Sequence, residues 1–123
     1  MGVAYENLMK IAEKMNKIPK ALQVFVTDID GKPVNWNMKF QFNLDNEDSF
    51  YLEIKDQQLS INLGTSEDSE IVMSGDNKAL TKICQGQGDF THAISREEIK
   101  VVEGKIMDVI RLTRAITIVL KAE

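Results

Sequence analysis

Between Val3 and Met15 the apolar residues Tyr5, Leu8, Met9, Ala12 and Met15 recur every three or four positions, and Glu6, Lys10, Glu13 and Lys14 take the other side. That spacing predicts an amphipathic helix. The helix should end before Pro19, because the residue preceding a proline is pushed out of the helical region. From Met38 the period changes to two. Met38, Phe40, Phe42 and Leu44 alternate with Lys39, Gln41 and Asn43. Phe50, Leu52 and Ile54 alternate with Tyr51, Glu53 and Lys55, and Leu59, Ile61 and Leu63 with Ser60 and Asn62. Polar Asp45–Asp48 and the pair Asp56-Gln57 punctuate the runs. Three consecutive strands with one apolar and one mainly polar face predict an antiparallel meander.

Residues 20–37 fit two patterns. Leu22, Val24 and Val26 alternate like a strand, while Ala21, Leu22, Phe25 and Ile29 share a helical face. Asp30-Gly31 followed by Pro33 predicts a turn after them. Gly64 to Glu70 reads as an acidic, solvated loop, and Ile71-Val72-Met73 as a fourth strand. Ser74-Gly75-Asp76 supplies capping residues for a helix carrying Ala79, Leu80, Ile83 and Cys84, which Gly86-Gln87-Gly88 closes. Phe90, Ala93 and Ile94 make a brief apolar turn, and Ile99, Val101 and Val102 suggest a fifth strand ending at Gly104.

From Lys105 to Lys121, polar Asp108, Arg111, Arg114 and Lys121 form a narrow stripe and apolar residues cover most of the rest. As a helix this segment is more apolar than packing on one sheet face requires. The β-branched run Ile116-Thr117-Ile118-Val119 leaves its last turns open to a strand reading. The expected fold is α+β with two layers: a mixed, mostly antiparallel sheet of about five strands with helices packed on one face.

Composition narrows the function classes. A chain of 123 residues suits one domain, here 1–123 with an N-terminal helix and linker at 1–37. One cysteine excludes an internal disulfide framework and fits a cytoplasmic setting. The start of the chain lacks the basic and apolar regions of a secretory signal, and Glu6 stands where a myristoylation motif wants Ser or Thr. No run approaches a membrane span, so stable membrane insertion is not expected. A net charge of −4 argues against nucleic acid and against strong docking to anionic membranes.

Signals for chemistry are sparse. Cys84 and His92 could form a thiolate dyad, but Cys84 falls on the apolar stripe with Leu80 and Ile83, where a free cysteine is ordinarily a small core residue. Asp28-Ile29-Asp30-Gly31 fails as a calcium loop, since the sixth and twelfth positions hold Pro33 and Lys39. The acidic clusters Asp45–Asp48 and Glu67–Glu70 lack ligand spacing, and Gly86-Gln87-Gly88 lacks the context of a dinucleotide site. Neither a metal nor a cofactor is implied, and no enzyme is expected. What remains is surplus apolar surface on the last helix and adaptable Met38, Met73 and Met107.

The stretch from Phe40 to about Leu120 resembles the sterol carrier protein type two family of small lipid-transfer domains. Three pieces carry the likeness. They are Ser49 to Asp56; Glu70-Ile71-Val72-Met73-Ser74 through Ala79, Leu80, Ile83 and Gly86; and Phe90-Thr91-His92-Ala93-Ile94 followed by Ile99 to Gly104, Ile106-Met107 and Arg111-Leu112. The sequence departs from the pattern at Ile94, where the family often has Phe, at Ser95-Arg96-Glu97-Glu98, and in the length of Leu22 to Asn37. The resemblance implies an apolar tunnel between sheet and helices that accepts a sterol, fatty acid or fatty acyl-CoA. It places Phe42, Leu80, Ile83, Phe90, Ile94, Val101, Met107, Ile110 and Ile116 on the tunnel wall, with Arg111 or Arg114 near a headgroup. A closed cavity of several hundred cubic ångströms is then expected. The competing expectation is an interaction module of the same fold with a filled core, a homodimer joined through the last helix around Val119.

Overall fold

The computed structural model describes residues 2–122. Helix α1 (Val3–Met15) buries Ala4, Tyr5, Leu8, Ile11, Ala12 and Met15. Gly2 brings no capping side chain; the Glu47 carboxylate, from a distant turn, accepts from the amides of Ala4 (3.0 Å) and Tyr5 (3.1 Å). A carboxylate there satisfies orphan donors and faces the positive end of the helix.

Residues 20–37 combine both sequence patterns in turn. Pro19 opens the short helix α2 (Pro19–Leu22), which tightens into a 3-10 turn at Gln23–Phe25. Extended backbone begins at Val26, in a hairpin of β1 (Val26–Ile29) and β2 (Lys32–Asn35). Its two-residue turn is Asp30-Gly31, both with positive φ (51° and 79°), the geometry that suits a tight hairpin. Pro33 therefore lies in a strand rather than in the turn. It faces Asp28 one pair from the turn, where antiparallel pairing asks for no amide donor.

The meander forms as the period of two predicts: β3 (Met38–Asp45), β4 (Phe50–Lys55) and β5 (Gln58–Leu63) pair antiparallel in order. Strand β6 (Ile71–Asp76) joins β3 in parallel, and β7 (Ile99–Glu103) closes the far edge antiparallel to β6, giving the order β5-β4-β3-β6-β7. The β5–β6 connection must therefore cross the sheet, and it does so over the polar face. Buried Gln41 donates to the carbonyls of Phe50 and Gly64 and accepts from the Ser66 amide (2.8 Å). Lys39 pairs with Asp68 at 3.0 Å. The acidic loop is thus anchored rather than merely solvated. The Ser66 hydroxyl and the Lys39 ammonium together hold the Asp68 carboxyl below its usual range.

Helix α3 (Asn77–Cys84) is capped by Asp76, and Asp89 caps the short helix α4 (Phe90–Ser95), which replaces the expected apolar turn. Helix α5 (Ile106–Lys121) is helical to its end. The β-branched run does not become a strand, because Val109, Leu112, Ala115, Ile116 and Val119 are buried together at helical spacing. Thr113 and Thr117 turn their hydroxyls back onto the carbonyls of Val109 and Thr113. Gly75 has φ +141°, and a Cβ there would strike the Glu98 carbonyl of the neighbouring chain segment, so a side chain at this position would part β6 from β7.

Candidate functional site

The core lies between the apolar face of the five-stranded sheet and the helices. Phe40, Phe42, Phe50, Leu52, Ile54, Ile71 and Met73 face inward from the strands, and Leu8, Met15, Phe25, Leu80, Phe90, Val109, Leu112 and Ile116 meet them from the helical side. Phe42 stacks on Phe50 at 5.1 Å between ring centroids, with Tyr5 edge-on to Phe50 at 5.5 Å. Such aromatic pairs add to what area burial alone supplies.

Phe42, Leu80, Ile83, Phe90 and Ile116 come together in this interior. Ile94 and Val101 pack on its margin, half-buried, and Ile110 is half-buried on α5. Met107 stands apart: it is 71% exposed on the first turn of α5. Only one side of a helix can face the sheet, and the Val109–Leu112–Ile116–Val119 stripe takes it.

The expected closed chamber is absent from the described residues around these five. A void wide enough for a water molecule would leave its wall residues partly exposed, yet Phe42, Leu80, Ile83, Phe90 and Ile116 are between 0 and 3% exposed. The reason is energetic. At roughly 24 cal/mol per Å³, an empty apolar void of about 300 Å³ would cost roughly 7 kcal/mol, comparable with the whole stability of a small domain. Here the protein's own side chains fill the space.

Open concavities border α5 instead. On one flank of its last turns, Ile18, Lys20, Thr117, Ile118, Lys121 and Ala122 line a groove of about 290 Å³. On the other, Gln85, Gly86, Gly88, Thr117, Leu120 and Lys121 line one of about 410 Å³. None of Ile18, Ile118 and Leu120 stood out in the sequence, although Ile118 and Leu120 belong to the apolar run at its end.

Arg111 is not available to a headgroup as it stands. Its guanidinium lies 4.7 Å from the Trp36 ring centroid, and Nη1 donates to Thr27 Oγ1 at 2.9 Å. Trp36 stacks on Phe25 (5.9 Å, 8° between planes) and leans on Phe40 (6.1 Å). Arg111 thereby fastens the hairpin and the Trp36 ring to the first half of α5. Arg114 is exposed.

Cys84 is buried, and desolvation pushes its thiol up to about 12, so it stays protonated near neutral pH. His92 is on the surface, its Nδ1 3.0 Å from an Asp89 carboxylate oxygen. The two do not form a thiolate pair. Among the described residues, no three His, Cys, Asp or Glu side chains group as metal ligands, and no helix is long and apolar enough to cross a membrane.

The SCP-2 sterol transfer family model matches residues 8–117. No curated protein matches the chain by sequence. Among solved structures, the UbiJ-SCP2 ubiquinone synthesis protein is 13% identical with a TM-score of 0.68, the alignment covering 94% of each chain. Sterol Carrier Protein-2 from Aedes aegypti, solved with the C16 fatty acid palmitate, is 14% identical with a TM-score of 0.59, over 94% of this chain and 96% of that one. The sec-alkylsulfatase Pisa1 from Pseudomonas sp. is 14% identical with a TM-score of 0.55; 66% of this chain corresponds to 12% of that enzyme.

Proposed function

The chain belongs to the SCP-2 sterol transfer family, and from that premise we propose that it binds a lipid between the inner face of its sheet and α5, and carries it without transforming it. The observation that supports this most is the interior itself: a continuous layer of apolar side chains that runs outward to open grooves on both flanks of α5. Such a layer recognises a ligand by area rather than by polar chemistry. Burying a sixteen-carbon chain yields roughly 12 kcal/mol gross, from which association and ordering remove much.

The core is filled by its own side chains, so in this reading binding opens it. The first half of α5 is tied to the hairpin through Arg111, whereas its second half is flanked by grooves, so the second half is the part we expect to yield. Fatty acids, fatty acyl-CoAs and sterols are the candidate ligands, and the palmitate held by the Aedes aegypti protein makes a fatty acid the first to test. We place the whole chain, acting as one unit, in the cytoplasm, in keeping with its unpaired buried Cys84.

Native mass spectrometry of the purified protein, before and after incubation with mixed fatty acids, acyl-CoAs and sterols, tests this reading. A discrete added mass is expected; a bare chain under every condition would refute it. The closed core favours one alternative, an interaction module with a permanently filled interior. Val119 is fully buried and cannot form its interface, so the exposed Val102, Ile106 and Met107 would. A dimer by light scattering that Met107→Asp dissociates, together with no lipid binding, would support it.

A further inference from the structure

We propose that β5, one outer strand of the five-stranded sheet, pairs with β5 of a second copy of the chain, antiparallel about a two-fold axis at Asn62. The two edges of the sheet are unequal. Strand β7 carries Lys100 and Glu103, its pairing with β6 slips between Val72 and Met73, and α4 packs beside it. Charge, a bulge and a covering helix are the usual ways of blunting an edge. Strand β5, Gln58-Leu59-Ser60-Ile61-Asn62-Leu63, has no charge, no proline and no glycine, and its register with β4 is unbroken. Leu63 is 49% exposed at its end.

The register fixes which backbone groups point outward. Asp56 and Gln57, with φ of 51° and 62°, form a two-residue turn. The flanking pair Lys55 and Gln58 therefore exchanges hydrogen bonds, and every second pair after it does the same. The Gly64 amide, which donates to the Ser49 carbonyl at 2.8 Å, keeps that parity. Leu59, Ile61 and Leu63 thus turn their amides and carbonyls away from β4. At Leu59 the Asn16 side chain takes the place of a neighbouring strand: its Oδ1 accepts from the amide at 2.9 Å and its Nδ2 donates to the carbonyl at 3.0 Å. Among the described residues, none does this for Ile61 or Leu63.

Two open rungs beside a closed one select the register. Centring an antiparallel pair on Ile61 sets Leu63 against Leu59, which Asn16 already occupies. Centring it on Leu63 sets Ile61 against Thr65, past the end of the strand. Centring it on Asn62 uses both rungs, with Ile61 of each copy exchanging two hydrogen bonds with Leu63 of the other. Leu63 then has Ile61 of the second copy as its cross-strand neighbour on the same face, and the two Asn62 side chains meet on the other face. This contact is self-complementary and closes at two copies, whereas pairing onto the charged, bulged β7 edge would run on as an open fibre. The seam is short, so the dimer is a transient one, with a dissociation constant on the order of 100 µM.

Sedimentation of the purified chain from about 10 µM to about 1 mM should show a reversible equilibrium between monomer and dimer. Leu63→Pro removes one outward donor per copy, an exposed change that an edge strand accommodates, and should weaken the dimer at least tenfold. Met107→Asp should leave it unchanged. A pair of cysteine variants tests the register. In this pairing the two Asn62 Cα atoms stand about 4.5 Å apart, so Asn62→Cys should form a disulfide-linked dimer under mild oxidation. Ser60→Cys lies about 13 Å from its mate and should stay unlinked; the buried Cys84 does not compete. A monomer up to about 1 mM, a dimer that Met107→Asp dissociates, equal cross-linking of the two cysteine variants, or open-ended oligomers would each overturn the proposal. Should Leu63→Pro lose its fold by circular dichroism, the cysteine pair decides alone. None of these readouts involves lipid, so the carrier reading stands or falls separately.

Discussion

Replacing Arg111 by alanine should loosen the β1–β2 hairpin while leaving the rest of the fold in place. Two contacts go at once. The stack of the guanidinium on Trp36 contributes about 0.5–2 kcal/mol, depending on how far it is shielded from water. The hydrogen bond to Thr27 Oγ1 adds about 1 kcal/mol net in a half-exposed setting. Their sum, about 2 kcal/mol, acts on an element with little else to hold it, since an isolated two-stranded hairpin is marginal in water. Amide hydrogen exchange at the cross-strand pair Thr27 and Val34 should therefore accelerate at least tenfold, with exchange in β3 and β4 unchanged. Trp36 is the single tryptophan, so its emission should shift to the red as the ring loses one wall of its cradle.

Two further variants separate the contacts. Thr27→Val keeps the shape and removes only the hydroxyl, so it should cost about 1 kcal/mol of local stability. The double variant should match Arg111→Ala alone within about 0.5 kcal/mol, because the second change then removes a bond already lost. Unchanged exchange and unchanged Trp36 emission in Arg111→Ala would refute the claim that this side chain fastens the hairpin to α5.

Other outcomes follow from single contacts. Glu47→Ala leaves the amides of Ala4 and Tyr5 and the side chain of Asn77 without their shared acceptor; a loss of about 2 kcal/mol is expected in chemical denaturation, and no shift of the midpoint would refute the cap. Cys84, its thiol pushed up to about 12 by burial, should resist alkylation in the native chain at pH 8 and react at once in denaturant; equal rates would contradict its burial. The sign of the linkage follows: the protonated thiol favours the fold, so this contribution is whole below the ordinary thiol range and is lost as pH rises from there toward 12. Asp68 runs the other way. Its carboxyl is held low by Ser66 and Lys39, so the loop at 64–70 keeps its anchor above the ordinary aspartate range and loses it as pH falls through the lowered value, a change the Ser66 amide resonance should report.

How much of this was legible depends on whether a residue's role is local. The meander was, because strict alternation from Met38 to Leu63 leaves a single face for the core. The N-terminal helix was legible for the same reason. Residues 20–37 were not, since the switch from helical to extended backbone occurs at Val26 within one apolar run, and neither period holds for more than two turns. The β3–β6 pairing joins residues thirty-one apart in parallel, and nothing in either strand announces its neighbour. Arg111 reads as one more solvated charge on a helix until the hairpin carrying Thr27 and the ring of Trp36 are folded over it.

The candidate site divides along the same line. Phe42, Leu80 and Ile83 each sit on a stripe with one possible inward face, and they are buried together with Phe90 and Ile116. Met107 misled because α5 is apolar around more than half its circumference, so periodicity alone leaves its orientation open; Arg111, one turn on, faces the hairpin and fixes it. Whether the interior is hollow is less local still. An apolar surplus is the same set of letters whether it surrounds a ligand or fills the space itself, and the choice rests on a volume term of several kcal/mol that no single residue carries. An apolar ligand would change that balance by supplying the missing atoms, which is why the letters alone do not decide it.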